Sequence, residues 1–238
     1  MNLKHFKEIQ CISYIYALYK IVVSIKNRYF LPLSFSKYGY RAKTAEVRTP
    51  CSIYPANAYL YDQTRIGDGF RMISHKGKFI LKKYSSIASD CTIITQNHCS
   101  TVGIPQFYLG ICHINDSESD IVVEEDVWIG YGVTMLKGSH CGRGCICAAN
   151  SLINKEIPPY AVVAGCPAKI VAVKFSIEQI IEHEKKLYKE EERLSISFLS
   201  DLFEKYYVGK KVFGTNLLTE EDKNTLKTFL KVTGYHIL

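Results

Sequence analysis

The chain has little tryptophan, methionine and proline: one, three and seven residues among 238. It also lacks a long uncharged apolar run, since residues 11–25, the most apolar stretch near the start, contain Lys20. That stretch is too short to cross a bilayer. Residues 1–8 are charged and no small-residue cleavage site follows them, so we expect neither a signal peptide nor a membrane span.

Strong charge of one sign is absent as well, because the net charge is only +7 and the basic residues are scattered. This pattern disfavours nucleic acid as a partner and favours anionic small molecules or an acidic membrane surface. The nine cysteines are odd in number and lack the paired spacing of zinc sites. We therefore expect reduced thiols, a cytoplasmic location and no bound metal.

A six-residue hydrophobic repeat fills residues 81–98 and 121–170. One set of positions carries Leu81, Ile87, Ile93, Val123, Ile129, Met135, Cys141, Cys147 and Ile153. A second set, four residues later, carries Ser85, Cys91, Val127, Val133, Ser139, Cys145, Ser151 and Ile157. A period of six fits neither a helix nor a plain strand, but it fits short strands that turn a corner every six residues. Three such strands complete a triangular coil, so the repeat predicts a β-helix whose core includes Cys145 and Cys147.

The segments before this repeat predict a helix and weaker coils. Residues 4–30 have helical spacing and many basic and tyrosine residues, and Leu31-Pro32 ends them. We expect an amphipathic helix that packs on the main domain, with attachment to a membrane surface as the alternative. Residues 44–80 read as degenerate coils around Ile53, Tyr59 and Ile66.

The segment after the repeat predicts three helices. Ser176 and Gln179 form a capping box at the start of the first, residues 194–207 continue as the second, and Thr219 begins a third that Gly234 ends. Helices at both ends of the chain would cap the stack of coils. The resulting division is an N-terminal segment 1–43, a β-helix domain 44–174 with a loop insertion 99–120, and a C-terminal helical extension 175–238.

Four short motifs give the chain a specific resemblance. They are Val127-Trp128-Ile129-Gly130, Ile157-Pro158-Pro159-Tyr160, Gly165-Cys166-Pro167-Ala168-Lys169 and Thr95-Gln96-Asn97-His98. The chain resembles the hexapeptide-repeat O-acetyltransferases, and within them the branch of sugar, capsular-polysaccharide and xenobiotic acetyltransferases. The resemblance implies a mainly β fold, a left-handed parallel β-helix, and acetyl-CoA as co-substrate. It further implies a homotrimer with active sites between subunits.

The resemblance also implies a catalytic residue, His98, at the position where this family carries its general base. Imidazole titrates near neutral pH and suits proton removal from a hydroxyl that attacks a thioester. His98 stands where the repeat breaks into the long loop 99–120, and such loops are usually functional. We expect Asn97, His113 and Asp116 to contact the acceptor. His113 could instead assist His98 or be an exposed loop histidine. Neighbouring residues on an extended chain point oppositely, so Cys99 is not expected to form an acyl intermediate and transfer is direct.

Residues on the outside of the coils match the family's donor site. Those expected to contact acetyl-CoA are Trp128, Gly130, Tyr131, Ala148, Ala149, Asn154, Lys155 and Lys169. The last three match positions at the nucleotide end, where ammonium groups meet phosphates. Asn150 and Cys166 depart from the family, which usually has Gly at the first position, although Asn tolerates a left-handed backbone.

Three functions remain open at this point. The first is acetyl-CoA-dependent O-acetylation of a hydroxyl on a sugar or polysaccharide precursor. The second keeps the chemistry but takes an antibiotic or amino sugar as acceptor. The third is a β-helix without transferase activity, either a bare scaffold or a carbonic-anhydrase-like trimer in which His75, His98 and His113 converge across a subunit interface.

Overall fold

Short parallel strands wind into a triangular β-helix in the computed structural model, which describes the backbone of residues 3–235 and the side chains of residues 13–235. The first face contains Tyr40–Arg41, Ala58–Leu60, Phe79–Leu81, Ile121–Val123, His140–Cys141 and Glu156–Ile157. The second face contains Glu46–Val47, Arg65–Ile66, Ser86–Ile87, Trp128–Ile129, Ile146–Cys147, Ala161–Ala164, Lys169–Val173 and Lys211–Val212. The third face contains Arg71–Ile73, Thr92–Ile94, Thr134–Leu136 and Leu152–Ile153.

The register between coils follows the six-residue repeat. Val123 lies between Leu81 and Cys141 on the first face, and Ile129 lies between Ile87 and Cys147 on the second. All residues of both predicted sets are buried, none of them more than 2% exposed. The predicted β-helix core is therefore confirmed, and Cys145 and Cys147 lie inside it with Cys141.

The corners of the coils repeat with the same period. Asp126, Gly132, Gly138, Gly144 and Asn150 all have φ between 56° and 74°. Glycine adopts this left-handed conformation without strain, and Asn and Asp adopt it more readily than other residues. The turn at Asn150 thus keeps its geometry without glycine, as expected.

The coils before residue 81 are present, as the sequence predicts. Ile53 and Ile66 are buried as expected. Tyr59 lies outward, because its neighbours Ala58 and Leu60 are the two residues that point into the core. The predicted coil around Tyr59 is therefore present, and the residues on either side of it supply the inward side chains.

The described side chains of the N-terminal helix, α1 (Leu3–Ile25), are not buried against the β-helix as expected. The side chains of residues 4–12 of the predicted helix lie outside the described part. Of the apolar residues from Tyr14 to Ile25, none is buried, and they lie on every side of the helix rather than on one face. A π-helical turn, Lys26–Phe30, continues the helix, and the 3-10 turns Leu31–Leu33 and Phe35–Lys37 follow it. Two further 3-10 turns lie at Pro55–Asn57 and Glu190–Glu192. None of the described helices is long and apolar enough to cross a membrane.

Two of the three C-terminal helices cover the last coil, as the sequence predicts for this extension, and the third has no buried residue. The three C-terminal helices are α3 (Ile177–Leu187), α4 (Ile196–Tyr206) and α5 (Glu220–Thr233). A further short helix, α2 (Gln106–Cys112), lies inside the insertion. Ser176 and Gln179 form the predicted capping box of α3, and Thr219 and the left-handed Gly234 cap α5. Ile180, Leu199 and Leu202 bury their side chains in the main core, which makes α3 and α4 the cap.

A buried carboxylate fastens this cap to the coils. Glu184 of α3 is 1% exposed, and it accepts hydrogen bonds from Arg143 (3.0 Å), the Tyr160 hydroxyl (2.7 Å) and the Leu194 backbone N–H (3.1 Å). Burial, and then the charge of Glu184, raise the pKa of Tyr160 far above its usual value, so the phenol stays a donor. Every oxygen of the carboxylate has a partner, which offsets the cost of burying the charge.

We predict that Glu184→Ala lowers the free energy of unfolding by about 3–5 kcal/mol, because Arg143 then keeps a half-buried charge without its main partner. Urea denaturation followed by circular dichroism measures the change. Glu182→Ala is the matched control: Glu182 lies on the same helix in an exposed pair with Lys186, and its loss should cost less than about 1 kcal/mol. Equal effects of the two substitutions would contradict the role given to Glu184.

Candidate functional site

The repeat breaks at the corner between the third and first faces, directly after the strand Thr92–Ile94. There Gln96–His98 leaves the coil and pairs antiparallel with Asp116–Glu118, with His98 opposite Asp116. We expected the insertion 99–120, which follows His98, to be a loop without regular structure. It instead contains half of this hairpin and helix α2, which the fully buried Leu109 anchors.

The hairpin brings two predicted site histidines onto one carboxylate. His98 Nδ1 lies 2.7 Å from Asp116 Oδ1, and His113 Nδ1 lies 2.9 Å from Asp116 Oδ2. Hydrogen bonds from His113 and His98 lower the pKa of Asp116, so this carboxyl is ionised at neutral pH and can only accept. Each Nδ1 therefore donates its N–H group to Asp116, and a neutral His98 ring in this tautomer has its lone pair on Nε2. Among the described residues, none forms a hydrogen bond with that Nε2 atom.

Several local contacts hold this arrangement. His113 caps the C-terminus of α2 in the left-handed conformation, with φ of 51°. Its ring stacks on that of His75, with centroids 6.2 Å apart and planes 10° apart. The carboxylate of Glu118 accepts the backbone N–H groups of Lys76 and Gly77, both at 2.6 Å, which ties the loop carrying His75 to the hairpin.

Two sequence expectations for this region change. Asn97 was expected beside the acceptor with His98, but it is exposed and alternates with His98 along the strand, so its side chain points away from the cluster. Asp116 was expected to contact the acceptor, whereas both of its oxygens already accept histidine N–H groups. His75, His98 and His113 do converge, but within one chain rather than across an interface.

The predicted donor residues fall on two different corners of the triangle. Asn154 and Lys155 lie between the third and first faces, two coils beyond His98, on what we call the His98 corner. The other corner lies between the second and third faces, and we call it the Gly130 corner. It carries Gly130, Tyr131, Ala148 and Ala149. Lys169 pairs with Ala164 beside that second corner, and Trp128 projects from the second face, 46% exposed.

A structural requirement accounts for glycine at position 130. A Cβ atom there would lie 2.7 Å from the Ala149 nitrogen and 2.8 Å from the Cys147 oxygen, so the coil above excludes any side chain. The stacking of coils therefore requires glycine at position 130, whether or not a ligand binds there.

Sequence reasoning missed one residue of the His98 corner, Lys137. It occupies the coil directly after His98, and its ammonium group donates to Ser117 on the hairpin. The six-residue spacing from Tyr131, which places Lys137 at the next corner of the coil, could have identified it. A cavity of about 640 Å³ lies further along this corner, with Lys155 and Pro158 on one side and Phe198 and Tyr206 of α4 on the other.

Comparison with known proteins finds acetyltransferases of several specificities. The chain is 44% identical over 63 residues to a probable macrolide acetyltransferase from Lysinibacillus sphaericus, which covers 26% of this chain and 35% of the relative. It is 29% identical over 115 residues to a chloramphenicol acetyltransferase from Morganella morganii, covering 43% and 55%. The alignments thus span between about a third and about half of these curated relatives. No family model matches the chain.

Solved structures support the fold. A hexapeptide-repeat acetyltransferase from Vibrio cholerae superposes with a TM-score of 0.56 and 23% identity, covering 64% of this chain and 87% of that one. The same protein has been crystallised with acetyl-CoA. A maltose O-acetyltransferase from Clostridium difficile gives a TM-score of 0.50 and 20% identity, covering 59% and 72%. In sequence and in fold, the chain is similar to the hexapeptide-repeat acetyltransferases, as its motifs predict.

Proposed function

We propose that the protein is an acetyl-CoA-dependent O-acetyltransferase with a left-handed β-helix, and that its acceptor is a hydroxyl on a sugar or polysaccharide precursor. The observation that carries this proposal is the His98–Asp116 pair, which fixes the imidazole in the tautomer whose Nε2 can accept a proton. The likeness to acetyltransferases supplies the donor and the reaction class.

The reaction follows from that tautomer. Nε2 of His98 removes the proton of the acceptor hydroxyl as its oxygen attacks the thioester carbonyl, and the C–S bond then breaks. The imidazolium returns the proton to the departing thiolate, so free CoA and an acetate ester are released. Asp116 positions His98 and stabilises the imidazolium, a role that complements the charge as it develops. Direct transfer needs no acyl-enzyme, and Cys99 has no part in it.

The proposed assembly is a homotrimer with sites between subunits. Within one chain the His98 corner and the Gly130 corner are separated by the third face, at most about 20 Å for six extended residues. In a trimer with its sites between subunits, the Gly130 corner of a second copy would lie against the His98 corner, and the two sets of residues would line one groove. Lys155, Asn154 and Lys169 then face the nucleotide end of the donor.

A second candidate acceptor is an antibiotic hydroxyl. The insertion exposes apolar side chains next to His98, including Ile104, Phe107, Tyr108 and Ile111. Such a surface suits an apolar acceptor better than a sugar, because exposed apolar patches mark binding sites. A panel with sugars, a macrolide and chloramphenicol distinguishes the two acceptor classes by which one accelerates CoA release.

We predict that His98→Ala lowers acceptor-dependent CoA release by about 10²- to 10⁴-fold, because the general base is lost. A thiol-specific dye measures free CoA. His183→Ala is the matched control, since His183 also pairs with a carboxylate, Asp126 at 3.0 Å, but lies on α3 beside the corner between the first and second faces. Unchanged turnover in His98→Ala, at an unchanged mass by light scattering, would contradict the mechanism.

A mixing experiment tests the shared site. His98→Ala removes the base, and Ala149→Trp fills the exposed Gly130 corner with a large side chain. Each variant should be inactive alone. Trimers reassembled from equal amounts should regain about a quarter of wild-type activity, because that fraction of sites combines two intact corners. A mixture as inactive as its parents would place both corners of the site in one chain and refute the shared arrangement.

We infer that α1 attaches the protein to an anionic membrane surface from the cytoplasmic side. The expected packing on the β-helix is not seen for the described side chains of α1, since Ile15, Leu18 and Val22 are exposed. Lys20, Lys26 and Arg28 supply positive charge next to them. The apolar residues lie on every side of α1, so the attachment is proposed from its exposed apolar area and from attraction to acidic lipids, without a single apolar face.

Co-sedimentation with vesicles of phosphatidylglycerol and phosphatidylcholine tests this attachment. Val22→Glu should release the protein from the vesicles, because it removes apolar surface and adds an unfavourable charge. Ser24→Glu adds the same charge to an exposed position without removing apolar surface, and it should weaken binding less. If both variants bind like the wild type, the helix does not contact the membrane.

A further inference from the structure

A cluster of metal-binding side chains coincides with the proposed base. The nitrogen atoms of His98 and His113 and a carboxylate oxygen of Asp116 all lie within 4.8 Å of one another. Imidazole and carboxylate together are the ligands of zinc sites that keep open positions for water. The side chains of His98 and His113 are 34% and 54% exposed, so an ion can enter from solvent.

The geometry points to a divalent-cation site of the Zn²⁺ class, formed by His98, His113 and Asp116 of one chain, whose occupation switches off His98 as a base. Ligand atoms around a tetrahedral zinc ion lie roughly 3.3 Å apart, since Zn–N bonds are about 2.0–2.1 Å. The two existing N···O distances, 2.7 and 2.9 Å, need to open by only about half an ångström to admit the ion.

Preorganisation favours this site over a chance grouping of side chains. The hairpin fixes His98 opposite Asp116, and the left-handed cap fixes the backbone of His113. Stacking on His75 sets the plane of the His113 ring. Supporting contacts of this kind orient the ligands of metal sites and contribute to their affinity. His75 acts here as a support, because its ring lies parallel to that of His113.

The chemistry of imidazole explains why bound cation and base activity exclude one another. In the tautomer that donates the Nδ1–H group to Asp116, the neutral His98 ring has its lone pair on Nε2. A cation needs the Nδ1 lone pair, so the neutral ring must carry its proton on Nε2 instead. The proton moves between the nitrogens through solvent, and none is gained or lost. His98 then presents an N–H group to the acceptor and cannot remove its proton.

Binding is tested independently of activity. Zinc chloride is titrated calorimetrically into full-length protein freed of metal with a chelator. One ion per chain should bind, and His113→Ala and Asp116→Asn should each weaken binding at least about tenfold. His140→Ala, the histidine paired with Glu124, should bind like the wild type. Absence of binding in the wild type, or equal binding by His113→Ala, would overturn the site.

The buried thiols Cys141, Cys145 and Cys147 are the competing ligands, because their sulfur atoms also lie within 4.8 Å of one another. Titration with Co²⁺ distinguishes the two clusters. A site of nitrogen and oxygen gives only weak visible bands, whereas thiolate ligands add an intense charge-transfer band in the near ultraviolet. An intense band that persists in His113→Ala would assign the cation to the thiols and overturn the proposal.

The inhibitory part of this inference rests on the proposed role of His98, and an assay of CoA release tests it. Zinc at saturating concentration should abolish release by the wild type, and chelator should restore it. The zinc concentration for half inhibition should rise in His113→Ala by the same factor as its dissociation constant. Activity that increases with zinc would overturn the exclusion. Binding without any activity of the metal-free protein would refute the acetyltransferase proposal and leave the cation site intact.

Discussion

The stacking of one coil on the next is the constraint on which the rest of the molecule depends. Each coil buries its inward side chains only against the coils above and below, so every sixth position must carry a residue that fits the same column. The close approach between coils also excludes side chains at corners such as Gly130. Outward positions are free of this requirement, and this is where the exposed candidate residues lie.

The regular coils could be predicted from sequence because their buried residues recur at a regular six-residue spacing. Val123, Ile129 and Met135 keep one phase, and any charge among them would be unpaired inside the prism. The spacing is less regular in the coils before residue 81, where Tyr59 lies outward between the buried Ala58 and Leu60, so the sequence does not identify the inward residues of that strand. Helix α1 has helical spacing, but spacing alone does not identify a partner surface.

The cluster at His98 could be predicted only in part. His98 follows from the motif that it ends, and His113 and Asp116 were noticed in the insertion, but their relation to His98 depends on tertiary structure. Asp116 is 18 residues from His98 and reaches it through an antiparallel pairing. That pairing requires left-handed conformations at His113 and Asn115, which residue type alone does not specify. The same dependence explains why Asp116 was expected at the acceptor instead of behind the base.

The last strand of the β-helix, Lys169–Val173, reverses direction and pairs antiparallel with Ala161–Ala164. A parallel solenoid has no intrinsic length, because its final coil offers a free row of backbone donors and acceptors to any further strand. The reversed strand ends the solenoid, and the two-residue strand Lys211–Val212 then pairs with the new edge. The protein can therefore present long exposed faces to other copies while end-to-end growth into a fibre is blocked at this end.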